Sequence, residues 1–278
     1  MPIIDVHAHY FSSSSFTEEF LKQAEIARGE PVDLVTNYTK YWAMSPPDTK
    51  TIVFGGKARL SGVWTNNEDV ANLVKSDPGR LTGFLSVDIS QPGWEDDLRH
   101  GHQKLGLRGV KLLPMYAGFY PNDPAFNGFW EYVCRHDLPV VLHAGTTFVR
   151  QAPLDCTRPI HIDDVAIRYP KARIWMAHLG HPYEGETIAV IRKHPYVYAD
   201  VSALFYRPWQ LFHSLMLVQE YGVWDKLLFG SDFPFTTVND SIAGLREVGK
   251  IKVDRFRLPA ERIEELIHRD TLELLHLN

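Results

Sequence analysis

The chain has 278 residues, 45% of them hydrophobic, and its 34 acidic and 29 basic residues leave a formal net charge of -5. This length is enough to bury one large core. It has no long basic run interleaved with aromatic residues, which excludes the usual nucleic-acid-binding surface, so we expect no nucleic-acid partner.

The cysteine content and the apolar segments indicate the cellular setting. Cys134 and Cys156 are too few for a disulfide framework and lack the paired spacing of a zinc knuckle. The first residues have neither the basic nor the apolar region of a signal peptide, and no segment approaches the roughly 20 continuous apolar residues that cross a bilayer. We therefore expect a reduced, cytoplasmic protein without membrane attachment.

Short apolar runs alternate with helical patterns along the chain, as expected for parallel strands joined by crossover helices. The predicted strands cover residues 3–9, 51–54, 81–87, 109–113, 139–143, 173–178, 197–200 and 227–231. The predicted helices cover residues 67–75, 94–105, 124–136, 160–169, 185–193 and 208–221. Nearly continuous apolar strands suit a parallel sheet that is covered on both faces. The predicted fold is an α/β, single-domain (β/α)8 TIM barrel over residues 1–278.

Two segments depart from this alternation. Residues 10–50 form an insertion after the first strand, with a serine run and an amphipathic stretch. Because it leaves the carboxyl end of that strand, we expect it over the active-site face as a lid or substrate wall, although an ordinary surface excursion fits equally well. Residues from about 255 to 278 have apolar positions at helical spacing and are expected to pack against the barrel.

Six residues with metal-binding or titratable side chains lie at the ends of predicted strands. They are His7, His9, Lys111, His143, His178 and Asp232. The active site of a parallel α/β barrel is built at the carboxyl ends of its strands, so these side chains should converge. Residues i and i+2 of a strand share a face, which lets His7 and His9 bind one ion. An HxH pair alone is a weak signal, but the whole set predicts a metal centre.

The motifs around these residues resemble those of the amidohydrolase superfamily. The matching stretches are DVHAH, GVKLLP, LHAG, MAHLGHP and LFGSDFPF, in the order of the predicted strands. The chain is most similar to the amidohydrolase-2 branch, which includes the aminocarboxymuconate-semialdehyde decarboxylase-like enzymes. The resemblance runs over nearly the whole chain.

This resemblance implies a set of metal ligands and catalytic residues. His7, His9, His143 and Asp232 would bind one divalent ion, zinc in the first instance, with one position left open for water. Asp232 would also orient or deprotonate that water, whose pKa a bound cation lowers from 15.7 to about 7. His178 would act as the second catalytic residue, either as an acid/base or by supporting the ligands.

Lys111 leaves the number of metals open. Dinuclear members of the superfamily use a carbamylated lysine at this strand to bridge two ions, and the histidine corresponding to His178 then binds the second ion. The mononuclear branch has no such bridge. We expect Lys111 to be an ammonium that holds a substrate carboxylate or forms a structural ion pair; a carbamate on Lys111 would mean two metals.

Cationic and aromatic residues that follow strand ends indicate the substrate. The predicted substrate-binding residues are Arg59, Tyr116, Arg150 and Arg207, and Lys57 is a further cation in this position. Because the planar guanidinium suits a carboxylate, we expect a small-molecule carboxylate substrate. His181, three residues after His178, could be a further acid/base or could make a hydrogen bond at a helix start.

We therefore expect a metal-dependent hydrolase whose metal-activated water attacks a carbonyl carbon of a lactone, an amide or a C–C bond next to a ketone. The alternative is a metal-dependent, nonoxidative decarboxylase of a cyclic or unsaturated carboxylic acid, which would use the same ligands. A catalytically silent barrel would usually have lost a ligand, and none is missing here. A homodimer is expected only by analogy with related barrels.

Overall fold

The eight predicted strands form one parallel sheet in the computed structural model, which describes residues 2–277. In sheet order they are β1 (Ile4–His9), β2 (Lys50–Phe54), β5 (Leu81–Ser86), β6 (Val110–Leu112), β7 (Val140–Leu142), β8 (Ile174–Met176), β9 (Val197–Asp200) and β10 (Leu227–Leu228). The Val6 amide donates to the Phe229 carbonyl at 3.0 Å and the Asp232 amide to the His7 carbonyl at 2.7 Å. These bonds join the first strand to the last, and the predicted TIM barrel is confirmed.

Helices surround the sheet at each predicted position. They are α3 (Asn67–Ser76), α4 (Trp94–Arg99), α6 (Asn127–Arg135), α7 (Ile160–Arg168), α8 (Glu184–Lys193) and α9 (Pro208–Tyr221). A short helix, α5 (Pro114–Ala117), follows β6, and two hairpins lie outside the barrel: β3 (Lys57–Ala58) with β4 (Val63–Trp64), and β11 (Lys252–Val253) with β12 (Phe256–Arg257).

The helix α10 (Val238–Val248) was not predicted from the sequence. Its sequence contains Asn, Asp, Ser and Gly, which are poor helix formers. The Thr237 hydroxyl caps it by accepting the Asp240 amide at 3.1 Å. A Cβ on Gly244 would lie 2.5 Å from Cβ of Phe205, so the absence of a side chain lets the helix approach the loop after β9. Tertiary packing here outweighs helix propensity.

The end of the barrel opposite the site is closed by α12 (Thr271–Leu274) and the residues after it, whereas α11 (Ala260–Ile267) packs against α10 and β10. Leu272, Leu275 and Leu277 pack against inward-facing strand residues such as Trp175 and Phe84. Each fully buried leucine contributes roughly 1.5–3 kcal/mol through the hydrophobic effect. The polar groups at the carboxyl ends of the strands therefore lie next to a layer of buried apolar side chains that fills the barrel.

The insertion folds into α1 (Glu18–Arg28) and α2 (Tyr38–Ala43) at the carboxyl end of the barrel. The Thr17 hydroxyl caps α1, and Gly29, with φ of 73°, ends it. Phe11, Phe16 and Phe20 make successive aromatic contacts with ring centroids 4.7 Å apart. This row of rings forms part of the wall of a cavity above the strand ends.

Among residues 2–277, no helix has the length and apolar character needed to cross a membrane.

Candidate active site

The predicted strand-end residues meet at one cavity. It has a volume of about 750 Å³, and His9, His143, His178 and Asp232 line it. His7 lies beneath them and is fully buried. Burial lowers the pKa of all four histidines, and this effect is large for His9 and His143. Neutral imidazole is the form that binds a divalent cation.

Among residues 2–277, His7, His178 and Asp232 form a group of potential metal ligands, with one ligand atom from each lying within 4.8 Å of the others. The Asp232 Oδ1 atom is 3.3 Å from Nε2 of His7 and 3.1 Å from Nε2 of His9. Burial raises the pKa of the Asp232 carboxyl, which makes it a stronger base.

Asp200 and Ser202, which were not among the predicted site residues, determine where His7 carries its proton. The Asp200 Oδ2 atom accepts a hydrogen bond from Nδ1 of His7 at 2.8 Å, and both side chains are fully buried. Although burial favours the protonated carboxyl, the charge and hydrogen bond of His7 hold the pKa of Asp200 well below its usual range. His7 therefore keeps a proton on Nδ1 and presents the lone pair of Nε2 to Asp232.

Ser202 fixes His178 in the same way. Its hydroxyl donates to Oδ1 of Asp200 at 2.6 Å, so the hydroxyl can only accept from Nδ1 of His178, which is 2.9 Å away. The Ser202 carbonyl accepts from the same nitrogen at 3.1 Å. Burial lowers the pKa of His178 to about 4, so its Nε2 is the free ring nitrogen of a neutral imidazole. The signal for this pair in the sequence is the DVS stretch at the end of β9.

Several residues around the cavity hold backbone conformations that side chains rarely adopt. His178, Leu179, Ala203 and Asp232 have φ values of 57°, 49°, 58° and 69°. Each such residue costs roughly 1–3 kcal/mol and persists only where the surrounding structure enforces it. Strain of this kind is concentrated at functional sites, which fits the position of these residues at strand ends.

A second buried carboxylate, Asp5, connects the strand ends to the insertion. Its Oδ1 accepts the amides of His7 and Ser231, at 3.1 and 2.8 Å. Its Oδ2 accepts the hydroxyls of Tyr41, from α2, and of Ser231, at 2.8 and 2.6 Å. Burial raises the pKa of Asp5 to about 6 despite these donors. Asp5 thus holds the backbone beside His7 and Asp232 and was missed because it lies inside an apolar strand.

Lys111 lies next to the metal-ligand group. It is 1% exposed, and its Nζ atom is 3.5 Å from Nε2 of His7 and 4.5 Å from the ring centre of Phe54. Burial lowers the pKa of Lys111 to about 8. Among the residues that the structure describes, Lys111 is not one of those that line the cavity.

The arrangement fits a divalent cation. With its proton on Nδ1, His7 faces Oδ1 of Asp232 with a lone pair at 3.3 Å, and two acceptors this close require a proton or a cation between them. Within residues 2–277, Nδ1 of His9 is buried without a hydrogen-bond partner, which is unusual for a structural histidine. His178 belongs to the group of His7 and Asp232, and Nε2 of His143, a predicted ligand, lies 3.3 Å from the Thr146 carbonyl.

The predicted substrate-binding residues divide into two groups. Tyr116 and Arg207 line the cavity, and burial raises the pKa of Tyr116 to about 12. In the described part of the chain, Arg59 and Arg150 lie outside the cavity lining: Arg59 stacks on Trp64 at 4.0 Å, and Arg150 is exposed. Lys57 likewise is engaged elsewhere, in an ion pair with Asp97 at 2.7 Å.

Arg28 lines the cavity from the end of α1 and stacks on Phe235, with its Cζ atom 5.1 Å from the ring centre. It was not predicted, because it lies in the insertion and far in sequence from any strand end. Arg28 and Arg207 bring positive charge to a cavity lining that also contains the carboxylates of Glu30, Asp232 and Asp240.

Comparison with known proteins supports this description. A family model described as amidohydrolase matches residues 4–265. An uncharacterized TIM-barrel protein from Bordetella bronchiseptica superposes with a TM-score of 0.75 at 16% identity, over 100% of this chain and 99% of the other. No curated protein matches the chain by sequence.

Two further solved structures are similar over almost their full lengths. A probable 2-pyrone-4,6-dicarboxylic acid hydrolase from Acinetobacter baumannii, with citric acid bound, has a TM-score of 0.66 and 19% identity over 99% of this chain and 100% of the other. A dihydroxybenzoic acid decarboxylase from a Polaromonas species, with manganese and the inhibitor 2-nitroresorcinol, has a TM-score of 0.65 and 16% identity over 100% and 97%. At such identities the solved structures establish only the fold. The family is established by the family model, because it covers most of the 278 residues. The chain therefore belongs to the amidohydrolase-2 family of the amidohydrolase superfamily.

Proposed function

We propose that this chain is a metal-dependent hydrolase that attacks a carbonyl carbon of a small, carboxylate-bearing substrate. The bond cleaved would be that of a lactone, an amide or a C–C bond next to a ketone. The observation that carries the proposal is the group of His7, His178 and Asp232, whose ligand atoms lie within 4.8 Å of one another beside a cavity of about 750 Å³.

The residues that would hold the cation follow from the contacts of Asp232. His7 and His9 both direct Nε2 to its carboxylate, so these three residues would form the centre of the site. His178 is close enough to be a further ligand, and His143 is the ligand expected from the family pattern. A bound divalent cation would act as a Lewis acid toward the substrate oxygen and lower the pKa of water.

The protein groups would supply the proton transfers. Asp232, with its raised pKa, would take a proton from the water that attacks the carbonyl carbon. When the bond to the leaving group breaks, that proton would pass to the leaving oxygen, nitrogen or carbon. His178, a neutral imidazole oriented by Ser202, could assist through its free Nε2. Arg28 and Arg207 would draw the anionic substrate into the cavity.

The aromatic lining supports a second candidate, a nonoxidative decarboxylase of a cyclic or unsaturated acid. Phe11, Phe16, Phe20, Phe148, Phe205 and Phe235 line the cavity together with Tyr116. A flat unsaturated ring fits between such walls, since offset and edge-to-face ring contacts are favourable. The same metal ligands would then bind the oxygens of the substrate.

One experiment distinguishes the two reactions. The protein, loaded with zinc or manganese, is incubated with a panel of carboxylate-bearing lactones, amides and diketones and with a panel of aromatic and other unsaturated carboxylic acids. Hydrolysis of any member of the first panel supports the hydrolase, and release of carbon dioxide from the second panel supports the decarboxylase. Both activities should be lost in Asp232→Asn. Failure of metal-loaded protein to turn over either class would contradict both proposals.

A further inference from the structure

His181 is a second cavity histidine whose surroundings differ from those of the metal-ligand group. It follows His178 by three residues and lines the same cavity. Its backbone amide donates to the His178 carbonyl at 3.0 Å, so one turn carries both side chains. That turn is packed closely against α8, because a Cβ on Gly180 would meet Oγ1 of Thr187 at 2.0 Å.

The Nδ1 atom of His181 is engaged on the protein side of the ring. It lies 3.4 Å from Oε1 of Glu184, the first residue of α8, and also contacts the amide nitrogen of Gln210 on α9. Because both partners lie on one edge of the imidazole, the opposite nitrogen, Nε2, is the polar atom that His181 has available for the cavity.

Glu184 is held as a buried anion. Its side chain is 11% exposed, and its Oε1 accepts Nε2 of Gln210 at 2.5 Å and the Ser214 hydroxyl at 3.4 Å. Burial would raise the pKa of Glu184, but the hydrogen bonds from His181 and Gln210 bring it down to about 2. A carboxylate beside one nitrogen of an imidazole orients the ring and stabilises the imidazolium, in which the other nitrogen also carries an N–H and can donate it to an anionic oxygen.

Arg207 adds a positive charge to the same cavity lining. It precedes α9 by one residue, lies one helical turn before Gln210, and lines the cavity. His181 and Arg207 thus come to the cavity through adjoining elements. The metal-ligand group, in contrast, lies at the ends of β1, β8 and β10.

From this geometry we propose that Nε2 of His181, oriented by Glu184, binds an oxygen of the substrate that does not react, with a carboxylate as its ligand class. The inference rests on the proposed function, since it assumes that this cavity holds the substrate. It adds a residue-specific requirement: the substrate carries an anionic oxygen at a distance from the bond that is cleaved.

The test uses benzoate as a flat, unreactive carboxylate and benzamide as its neutral counterpart. Binding to the metal-loaded full-length protein is measured by calorimetry, with metal content determined for every variant. We expect benzoate to bind at least tenfold more tightly than benzamide. His181→Asn should weaken benzoate binding at least tenfold, and Glu184→Gln about three- to tenfold, at unchanged metal content. His213→Asn, which alters an exposed histidine of α9, should change it less than twofold.

The contact between His181 and benzoate can also be measured in the wild type, where no variant has to fold. In imidazole nitrogen spectra of the wild type, the Nε2 resonance of His181 should shift when benzoate is added, and Gln210→Ala should reduce the benzoate affinity. Equal affinities for benzoate and benzamide, or benzoate binding that survives His181→Asn but is lost on metal removal, would overturn the inference. Neither result would contradict the proposed reaction, because turnover is assayed with other compounds.

Discussion

His7 and Asp200 form a fully buried hydrogen bond of 2.8 Å that leaves Nε2 as the only nitrogen of His7 available to a metal ion. Partners of this kind keep a ligating imidazole in one tautomer and one orientation. The carboxylate would therefore support the proposed metal site without contacting the metal.

Asp200→Asn should lower the affinity for zinc by about 10- to 100-fold, because an amide can donate to Nδ1 and allow the proton to move to Nε2. The affinity is measured by competition with a chromophoric chelator. Asp254→Asn, the same replacement on the exposed β11–β12 hairpin, serves as the control and should leave the affinity unchanged. An unaltered zinc affinity in Asp200→Asn would exclude this orienting role.

Lys111→Met distinguishes one metal from two. If Lys111 carries an ammonium 3.5 Å from Nε2 of His7, this ammonium would repel a cation bound at that nitrogen. Its removal relieves the repulsion, so the variant should bind one ion with equal or higher affinity. Metal content and intact-protein mass are measured for wild type and variant. Two ions per wild-type chain, a carbamate on Lys111 and loss of one ion in the variant would establish the dinuclear arrangement instead.

Gly230→Ala should disturb the site through the backbone. A Cβ at this position would lie 2.8 Å from Cβ of His7 and 3.4 Å from its backbone nitrogen, so β1 would have to shift. We expect a loss of about 1–3 kcal/mol in the free energy of unfolding, together with weaker zinc binding.

Gly128→Ala is the matched control. Gly128 lies in α6, and nothing stands within 4 Å of the added Cβ, so this change should stabilise the protein by up to about 1 kcal/mol. Equal stabilities of the two variants in urea unfolding would show that the contact with His7 is not tight.

Glu184→Gln should reduce the acid sensitivity of the fold. The pKa of Glu184 in the folded protein, about 2, is below its ordinary value of 4.5, so its contribution to stability is present above pH 4.5 and is lost as the pH falls toward 2. The wild type should lose on the order of 2 kcal/mol more than the variant over this range. Stability is measured by urea unfolding between pH 5 and 3. Parallel curves for the two proteins would contradict the lowered pKa of Glu184 in the folded protein.

The sequence predicts the barrel well because each strand is a short apolar run with a clear boundary. All eight predicted strands lie within two or three residues of those in the structure. The pattern misses α10, where polar helix breakers and a glycine are tolerated because of packing against Phe205. The hairpin at β11 and β12 was also missed, since two-residue strands carry no periodicity.

The candidate site is predicted only in part, for a physical reason. Four site residues can be recognised in the sequence because they lie at the ends of predicted strands: His7, His9, His178 and Asp232. The structure brings them together. Asp5 lies within β1 and Asp200 is the last residue of β9, but in both cases a single acidic residue gives no indication of its partner.

The sequence likewise does not predict which charged residues line the cavity. Arg59 and Arg150 follow strand ends yet lie outside the cavity lining of the described chain, whereas Arg28 reaches the cavity from the insertion. Loop conformation, which has no periodic signature, decides which of them faces the substrate.

The metal content of purified His7→Ala/His9→Ala, compared with that of the wild type, tests the central claim most directly. The predicted result is about one equivalent of divalent metal in the wild type and none in the double variant. His100→Ala/His102→Ala, which removes an equally spaced pair at the end of α4, should retain the wild-type content. Full metal content in His7→Ala/His9→Ala would contradict the assignment of this site.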